Sequence, residues 1–283
     1  MERVEQDGVL THVTKVNQWE CDHNGHWNVR FYSRAAQAAS EAAAVLCGAS
    51  NPGAASVTTR HLRYHRELFS GAPVRVRSGV LTGGPQAGAL LHLIESHGRL
   101  SATALDRTPG PVPQVGAFPA GAATHALPRG LPPGDFVPLR EGEAARDVIL
   151  GPVPTEARDH TGDLSSDGMM NFVSIASHGL LNALGFTPEF VARTGISRMA
   201  VEMKTTRHVF CPESTILSAR SVIAAVTGKS AVIRHDLYSA TTGTVIASAA
   251  QCIVMVDLST RKAVPMPEEL ARGFGTAMPA AVQ

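Results

Sequence analysis

Residues 19–28 read Trp19-Glu20-Cys21-Asp22-His23-Asn24-Gly25-His26-Trp27-Asn28, with Tyr32 following a little further on. Asp, Asn and Gly in close succession make a turn, because the polar side chains bond the local backbone and glycine accepts a positive φ. Alone, Asp22-His23-Asn24-Gly25 is an ordinary turn sequence. Its setting decides how it is read. Residues 9–18 before it have strand character, and residues 28–47 after it carry a helical pattern. In that helix Arg30, Arg34, Gln37 and Glu41 form one polar stripe, and Phe31, Ala35, Ala38, Ala39, Ala42 and Leu46 fill the opposite side. An alanine-rich helix is thin, so a sheet can wrap it closely. Four strand-like stretches follow, at 55–67, 72–83, 87–97 and 99–107, with Val74, Val76 and Val80 among their β-branched residues.

The same order recurs later. A strand at 146–155, a loop at 156–167 and a helix at 168–184 precede stretches at 196–210, 214–226, 229–239 and 244–257. Asp22-His23-Asn24-Gly25-His26 aligns with Asp159-His160-Thr161-Gly162-Asp163, 137 residues on. Gly48 and Gly185 stand at the same offset, each where a helix C-terminus favours glycine. Arg66-Glu67-Leu68-Phe69 aligns with Arg207-His208-Val209-Phe210 at an offset of 141, and Gly98 with Gly243 at 145. The second helix is apolar nearly all round (Met169, Met170, Phe172, Val173, Ile175, Leu180, Leu181, Leu184), which predicts deep burial. Between the copies, residues 108–145 are dense in proline and glycine and cannot sustain a helix or an inner strand. The expected organisation is an N-terminal unit at 1–107, a linker at 108–145 draped over the surface, and a C-terminal unit with a tail at 146–283. Each unit is α+β, one buried helix against about five antiparallel strands.

Composition narrows the classes. The 283 residues are 44% hydrophobic, 17% charged and 5% aromatic, with a formal net charge of +1. That is a globular balance without a broad electrostatic footprint for duplex DNA or an anionic membrane. No apolar run is long enough to span a bilayer, and the first residues lack the apolar core of a secretory signal. Cys21, Cys47, Cys211 and Cys252 are far apart and form no CxxC, so reduced thiols in a cytoplasmic protein are expected. No P-loop, no dinucleotide-binding glycine pattern and no GxSxG elbow is present.

The stretch from Trp19 to Asn28, with Tyr32, resembles the signature loop of hotdog-fold acyl-CoA thioesterases and is most similar to the 4-hydroxybenzoyl-CoA thioesterase group. In that group a strand, an Asp-x-x-Gly-His-x-Asn-type loop and a long central helix wrapped by an antiparallel sheet follow one another. The order holds over both halves, so the chain resembles a double hotdog, two antiparallel sheets each wrapped around a central helix. Single hotdog domains pair and place their sites at the pair's interface; the resemblance implies an intrachain pair. It also implies hydrolysis of an acyl-CoA, with Asp22 or its counterpart Asp159 as nucleophile or as the base that activates water. Backbone N–H groups of Gly25, His26 and Trp27, at the start of the helix, are the expected oxyanion donors. His23, Asn28 and Tyr32 are the expected substrate contacts. The second loop departs from the pattern, with Asp163 for His26, Leu164 for Trp27, Ser165 for Asn28 and Met169 for Tyr32. That favours Asp22 over Asp159.

Several residues carry two readings. Trp27, Phe31 and Tyr32 line an acyl pocket or fill the core. Arg60, Arg63 and Arg66 hold the phosphates of coenzyme A or belong to a solvated strand edge. His23 and His26 lack a third ligand, so no metal is expected. Asp106 and Asp257 end strands and are read as structural. No cofactor is expected, coenzyme A entering only as part of the substrate. Acyl carrier protein is an alternative carrier, and a homodimer of the double-hotdog chain stays open; nucleic acid and membrane are not expected partners. Two other functions fit the fold: a hydratase or dehydratase acting on acyl-CoA, and a non-catalytic acyl-CoA-binding module.

Overall fold

The computed structural model describes residues 8–22, 24–131, 136–140, 142 and 146–278; His23 and linker residues 132–135, 141 and 143–145 lie outside the described residues. The chain divides into two compact units, residues 1–128 with 156–170 and residues 129–155 with 171–283. The first unit contains β1 (Val9–Lys15), α1 (Val29–Leu46), β2 (Thr59–Tyr64), β3 (Pro73–Leu81), β4 (Leu90–Ser96), β5 (Arg99–Arg107) and β6 (Ala117–Phe118). Its strands run antiparallel in the order β1-β3-β4-β5-β2, and β6 adds a short parallel pairing to β3.

Helix α1 starts where Asn28 caps it, the side chain accepting from the Arg30 N–H at 3.1 Å, and stops at Gly48, whose φ of +90° an L side chain rarely adopts. Its buried side is Tyr32, Ser33, Ala35, Ala36, Ala39, Ser40, Ala43 and Ala44, and Ala43 meets Val80 and Leu90 of the sheet. The buried side differs from the apolar stripe in the sequence. Leu46 is 63% exposed in the last turn, and Ser33 and Ser40 are buried. A stripe drawn by apolarity misses them: the Ser40 hydroxyl is satisfied by Asp106 and His92, and the Ser33 carbonyl accepts from Arg60.

The second unit contains β7 (Arg146–Pro152), most of α2 (Ser166–Ala183), α3 (Pro188–Thr194), β8 (Ile196–Arg207), β9 (Ile216–Val226), β10 (Ser230–Ser239), β11 (Val245–Asp257), β12 (Lys262–Ala263) and α4 (Glu268–Thr276). The sheet order is β8-β11-β10-β9-β7, with β12 beside β11. Leu180 and Leu181 of α2 share a core with Ile223, Ile233, Ile253 and Met255, closed by Leu270 and Phe274 of α4. The sequence shows α2 as apolar all round; Ile175 is nevertheless 51% exposed. Helix α4, within the expected tail, is amphipathic over only nine residues and contributes two core side chains.

The duplication is visible residue by residue. Strands β1 and β7, and helices α1 and α2, have identical lengths and boundaries 137 residues apart. The strand after each helix needs a different offset from the one its sequence suggested. His65 and Arg66 both donate backbone N–H to the Ser101 carbonyl, and His208 and Val209 do the same to Ile246. Arg66 therefore corresponds to Val209, and Glu67 to Phe210, at an offset of 143. The Arg-x-x-Phe likeness at 141 is two residues out of register.

The proline-rich segment is not merely draped. In the first unit Phe118, Ala123 and Ala126 bury Leu81, Leu91, Leu93 and Leu105, the sheet face opposite α1. Arg63 donates to the carbonyls of Thr124 (3.2 Å) and Leu127 (2.9 Å), His61 lies 3.0 Å from the Ala126 carbonyl, and Thr103 donates to His125. In the second unit Leu131 and Phe136 cover Ala250 and Cys252. There the strap's N–H groups are taken: Arg129 and Gly130 donate to the Glu202 carboxylate and Leu139 to Asp236. Among the described residues, carbonyls of this segment meet Arg63 and His61 in the first unit, and its N–H groups meet Glu202 and Asp236 in the second.

Candidate active site

The loop between β1 and α1 is closed by its own aspartate. Asp22 donates its N–H to the His26 carbonyl (2.8 Å) and accepts from Gly25 at its own carbonyl (2.9 Å). Its carboxylate Oδ1 accepts from the N–H groups of Asn24 (2.8 Å) and His26 (3.1 Å). Gly25 sits at φ +77° to allow this. The Trp27 N–H is spent on the Leu68 carbonyl at 2.7 Å. All three amides expected to form an oxyanion hole thus have partners inside the chain. Asp22 is half-buried, and among the described residues its Oδ2 has no hydrogen-bond partner.

Side chains from β2 and the turn after it complete the surroundings. His26, 7% exposed, places Nε2 3.3 Å from the Glu67 carboxylate and stands edge-on to Phe69 at 5.1 Å. Trp27 donates its indole N–H to Glu20 (3.0 Å) and lies against Tyr32, whose ring meets Tyr64 edge-on at 5.3 Å. Burial pushes the Tyr32 phenol well above its ordinary range, against a hydrogen bond from the Leu68 backbone, and Glu67 and Asp22 add to the rise. Tyr32 is therefore a neutral donor at physiological pH. Burial also raises Tyr64, whose hydroxyl has no partner among the described residues. Arg66 donates to the Ser96 carbonyl at 3.0 Å, and its buried Nε has no partner among the described residues. Burial and the Asp22 carboxylate keep the neighbouring Cys21 thiol up, which disfavours a thiolate.

The site thus gathers Asp22, Gly25, His26, Trp27, Asn28 and Tyr32 with Tyr64, Arg66 and Glu67. It does not gather Arg60, which is 1% exposed and bonded to Asp106, or Arg63, which holds the strap. Glu67 is the functional candidate the sequence reasoning passed over. It stood inside the quoted Arg66-Glu67-Leu68-Phe69, but only the folded turn brings it to His26.

The second loop repeats the backbone. Asp159 bonds Asp163 and Gly162 as Asp22 bonds His26 and Gly25, and its Oδ1 accepts from Thr161 (2.8 Å) and Asp163 (3.2 Å). Gly162 has φ +80°. The Thr161 hydroxyl adds a third bond to Oδ1 at 2.6 Å. At the positions that correspond in sequence and register, the chain carries Asp163 for His26, Phe210 for Glu67, Met169 for Tyr32 and Arg207 for Tyr64. The polar stripe of α1 grips this loop and the start of α2: Arg30 and Arg34 both donate to Asp167 (3.0 Å each), Ser166 to Gln37, and His160 lies 3.6 Å from Glu41. Among the described residues there is no cluster of three metal-ligating side chains and no helix long and apolar enough to cross a membrane.

A central helix wrapped by an antiparallel sheet, present twice, is the hotdog fold in tandem. The chain belongs to the Thioesterase-like superfamily, whose family model matches residues 16–108 and 157–274. Its chemistry is the hydrolysis of acyl thioesters. Solved structures agree in fold. A protein from Lactobacillus plantarum described as an oleoyl thioesterase is 11% identical with a TM-score of 0.58, over 93% of this chain and all of that one. An acyl-ACP thioesterase from Bacteroides thetaiotaomicron is 9% identical with a TM-score of 0.56, over 86% of this chain and 96% of that one. The 12:0-ACP thioesterase from Umbellularia californica is 12% identical with a TM-score of 0.55, over 86% and 92%. No curated protein matches the chain.

Proposed function

We propose that the protein cleaves an acyl-CoA to free acid and coenzyme A at the first loop, with Asp22 as the working carboxylate. The observation that carries this reading is the contrast between two loops of one backbone conformation. The first has Asp22 with His26, Glu67 and Tyr32; the second has Asp159 with Asp163 and Met169, and the register gives Phe210 as the counterpart of Glu67. Asp22 either attacks the carbonyl carbon, expelling the thiolate and leaving an anhydride that water opens, or takes a proton from the attacking water. In both routes the carboxylate turns toward the substrate and releases the N–H groups of Asn24 and His26, which can then face the carbonyl oxygen. His26, backed by Glu67, supplies the proton the departing thiolate needs. Asp159 stays the second candidate.

Two structural relatives are acyl-ACP thioesterases, which makes acyl carrier protein the alternative carrier. Free thiol should therefore be measured over short, long and aromatic acyl-CoAs and over the same acyl groups on carrier protein. The reading expects thiol release from at least one acyl-CoA. Release from acyl carrier protein alone moves the carrier, and hydration of an enoyl-CoA without thiol release overturns the reaction.

A further inference from the structure

Deep in the first unit lies an ion pair that no step above uses. Arg60 of β2 donates Nε and Nη2 to the two oxygens of Asp106 on β5, at 2.8 and 2.6 Å. Both residues are almost completely buried. Burial alone would raise the Asp106 carboxyl, but the Arg60 charge and hydrogen bonds from Arg60 and His92 hold it far below the usual range, so the pair is ionised. Around it Ser40 of α1 lies 2.7 Å from Asp106 and 3.1 Å from Arg60, and His92 bridges 2.6 Å to Ser78. Arg60 also donates to the Ser33 carbonyl at 3.0 Å and to Gln37 at 3.3 Å.

The second copy is an internal control for this cluster. It keeps the serine on the helix, Ser177, and the serine–histidine pair, Ser221 and His235 at 2.8 Å. Arg60 stands opposite Asp106 in the β2–β5 register, and Met203 stands opposite Gln251 at the corresponding place in β8–β11. A sheet wrapped round a helix is thus built in this same chain without an ion pair at this register position, although Arg198 still bears on His235. Burying an ion pair gains little over a neutral pair of similar volume. The second copy lacks the pair, and it also lacks the residues matching His26, Glu67 and Tyr32.

The cluster joins the two elements that build the site. Helix α1 follows the Asp22 loop and carries Tyr32, Ser33 and Ser40; β2 carries Arg60 and Tyr64, and the turn after it carries Arg66 and Glu67. Arg60 fixes one to the other at the Ser33 carbonyl and the Ser40 hydroxyl. We infer that Arg60 and Asp106 are positioning residues for the first loop, retained to hold Asp22 and Tyr32 against His26 and Glu67 rather than to hold the fold. The inference rests on the first loop being the working site.

The test installs the second copy's own residues, Arg60→Met with Asp106→Gln, in the full chain. The expected result is a folded protein with a melting temperature within a few degrees of the parent, unchanged KM for acyl-CoA, and kcat down about tenfold or more. A folded variant with unchanged kcat overturns the inference, as does one in which kcat falls only in step with lost folded protein. If the double variant does not fold, Ser40→Ala decides, since it leaves both charges in place: lower kcat at unchanged melting supports the inference, and unchanged kcat overturns it. Asp22→Asn is measured beside them. Full turnover in Asp22→Asn removes the first loop from the chemistry and this inference with it; loss there with full turnover in the double variant removes only the positioning role.

Discussion

At the scale of single residues, Asp22 has one observed task, closing the loop, and one proposed task, the chemistry. Its Oδ1 folds the loop and its Oδ2 has no partner among the described residues. The first task was legible in the sequence, because Asp-x-x-Gly turns close on neighbours two to four residues away. The partner of His26 was not, because Glu67 arrives from a turn 41 residues further on. Glu67→Gln should lower kcat about tenfold to a hundredfold, in the range of lost acid–base assistance, with little change in KM; steady-state kinetics on one acyl-CoA checks it, and an unchanged kcat removes Glu67 from the site. Gly25 offers a second test. A Cβ there meets nothing within 4 Å, so the cost of Gly25→Ala comes from φ +77° alone. That cost should be about 1–2 kcal/mol, read by urea denaturation, and a cost near zero would mean that the loop relaxes without it.

At the scale of elements, helices and strands were legible from periodicity, whereas the role of the basic strand was not. Arg60, His61 and Arg63 lie on a strand that looked solvated because both of its faces are polar. One face meets a buried carboxylate and the other meets strap carbonyls, and neither partner is near in sequence. The two-residue slip in aligning Arg66 with Arg207 has a similar cause, since a local likeness outweighed the hydrogen-bond register that only pairing defines. Arg63→Met should destabilise the protein by about 1.5–3 kcal/mol, the range for a lost hydrogen bond to a charged group, without changing the KM for acyl-CoA. Denaturation and kinetics on the same preparation check it; a raised KM at full stability would return Arg63 to the coenzyme A phosphates.

At the scale of the whole molecule, one half-unit has been written twice and its copies have diverged in their polar residues. Their shared backbone was legible because glycines and the Asp loop recur in order; their chemical difference needed the register. His235 of the second copy carries a pH dependence of stability. Burial holds His235 down to about 3, with Arg198 adding, and its Nε2 has no partner among the described residues. An unfolded histidine titrates near 6.5, so below that pH the unfolded chain takes up a proton that the folded chain refuses. The stability is full above about 6.5 and falls as pH drops toward 3, by up to about 1.4 kcal/mol per pH unit. His235→Asn should flatten the dependence between about pH 6 and 4 by close to one proton, and equal slopes would contradict the assignment. Asp106 acts lower, its contribution full above the ordinary aspartate value of about 3.9 and lost as pH falls below it.

The central claim is that the first loop does the chemistry and the second preserves only its shape. Asp22→Asn and Asp159→Asn, assayed side by side for thiol release from the same acyl-CoA, test it most directly. The account predicts that Asp22→Asn loses about a hundredfold or more in kcat while Asp159→Asn stays within about threefold of the parent. Full turnover in Asp22→Asn, or the larger loss in Asp159→Asn, would contradict it.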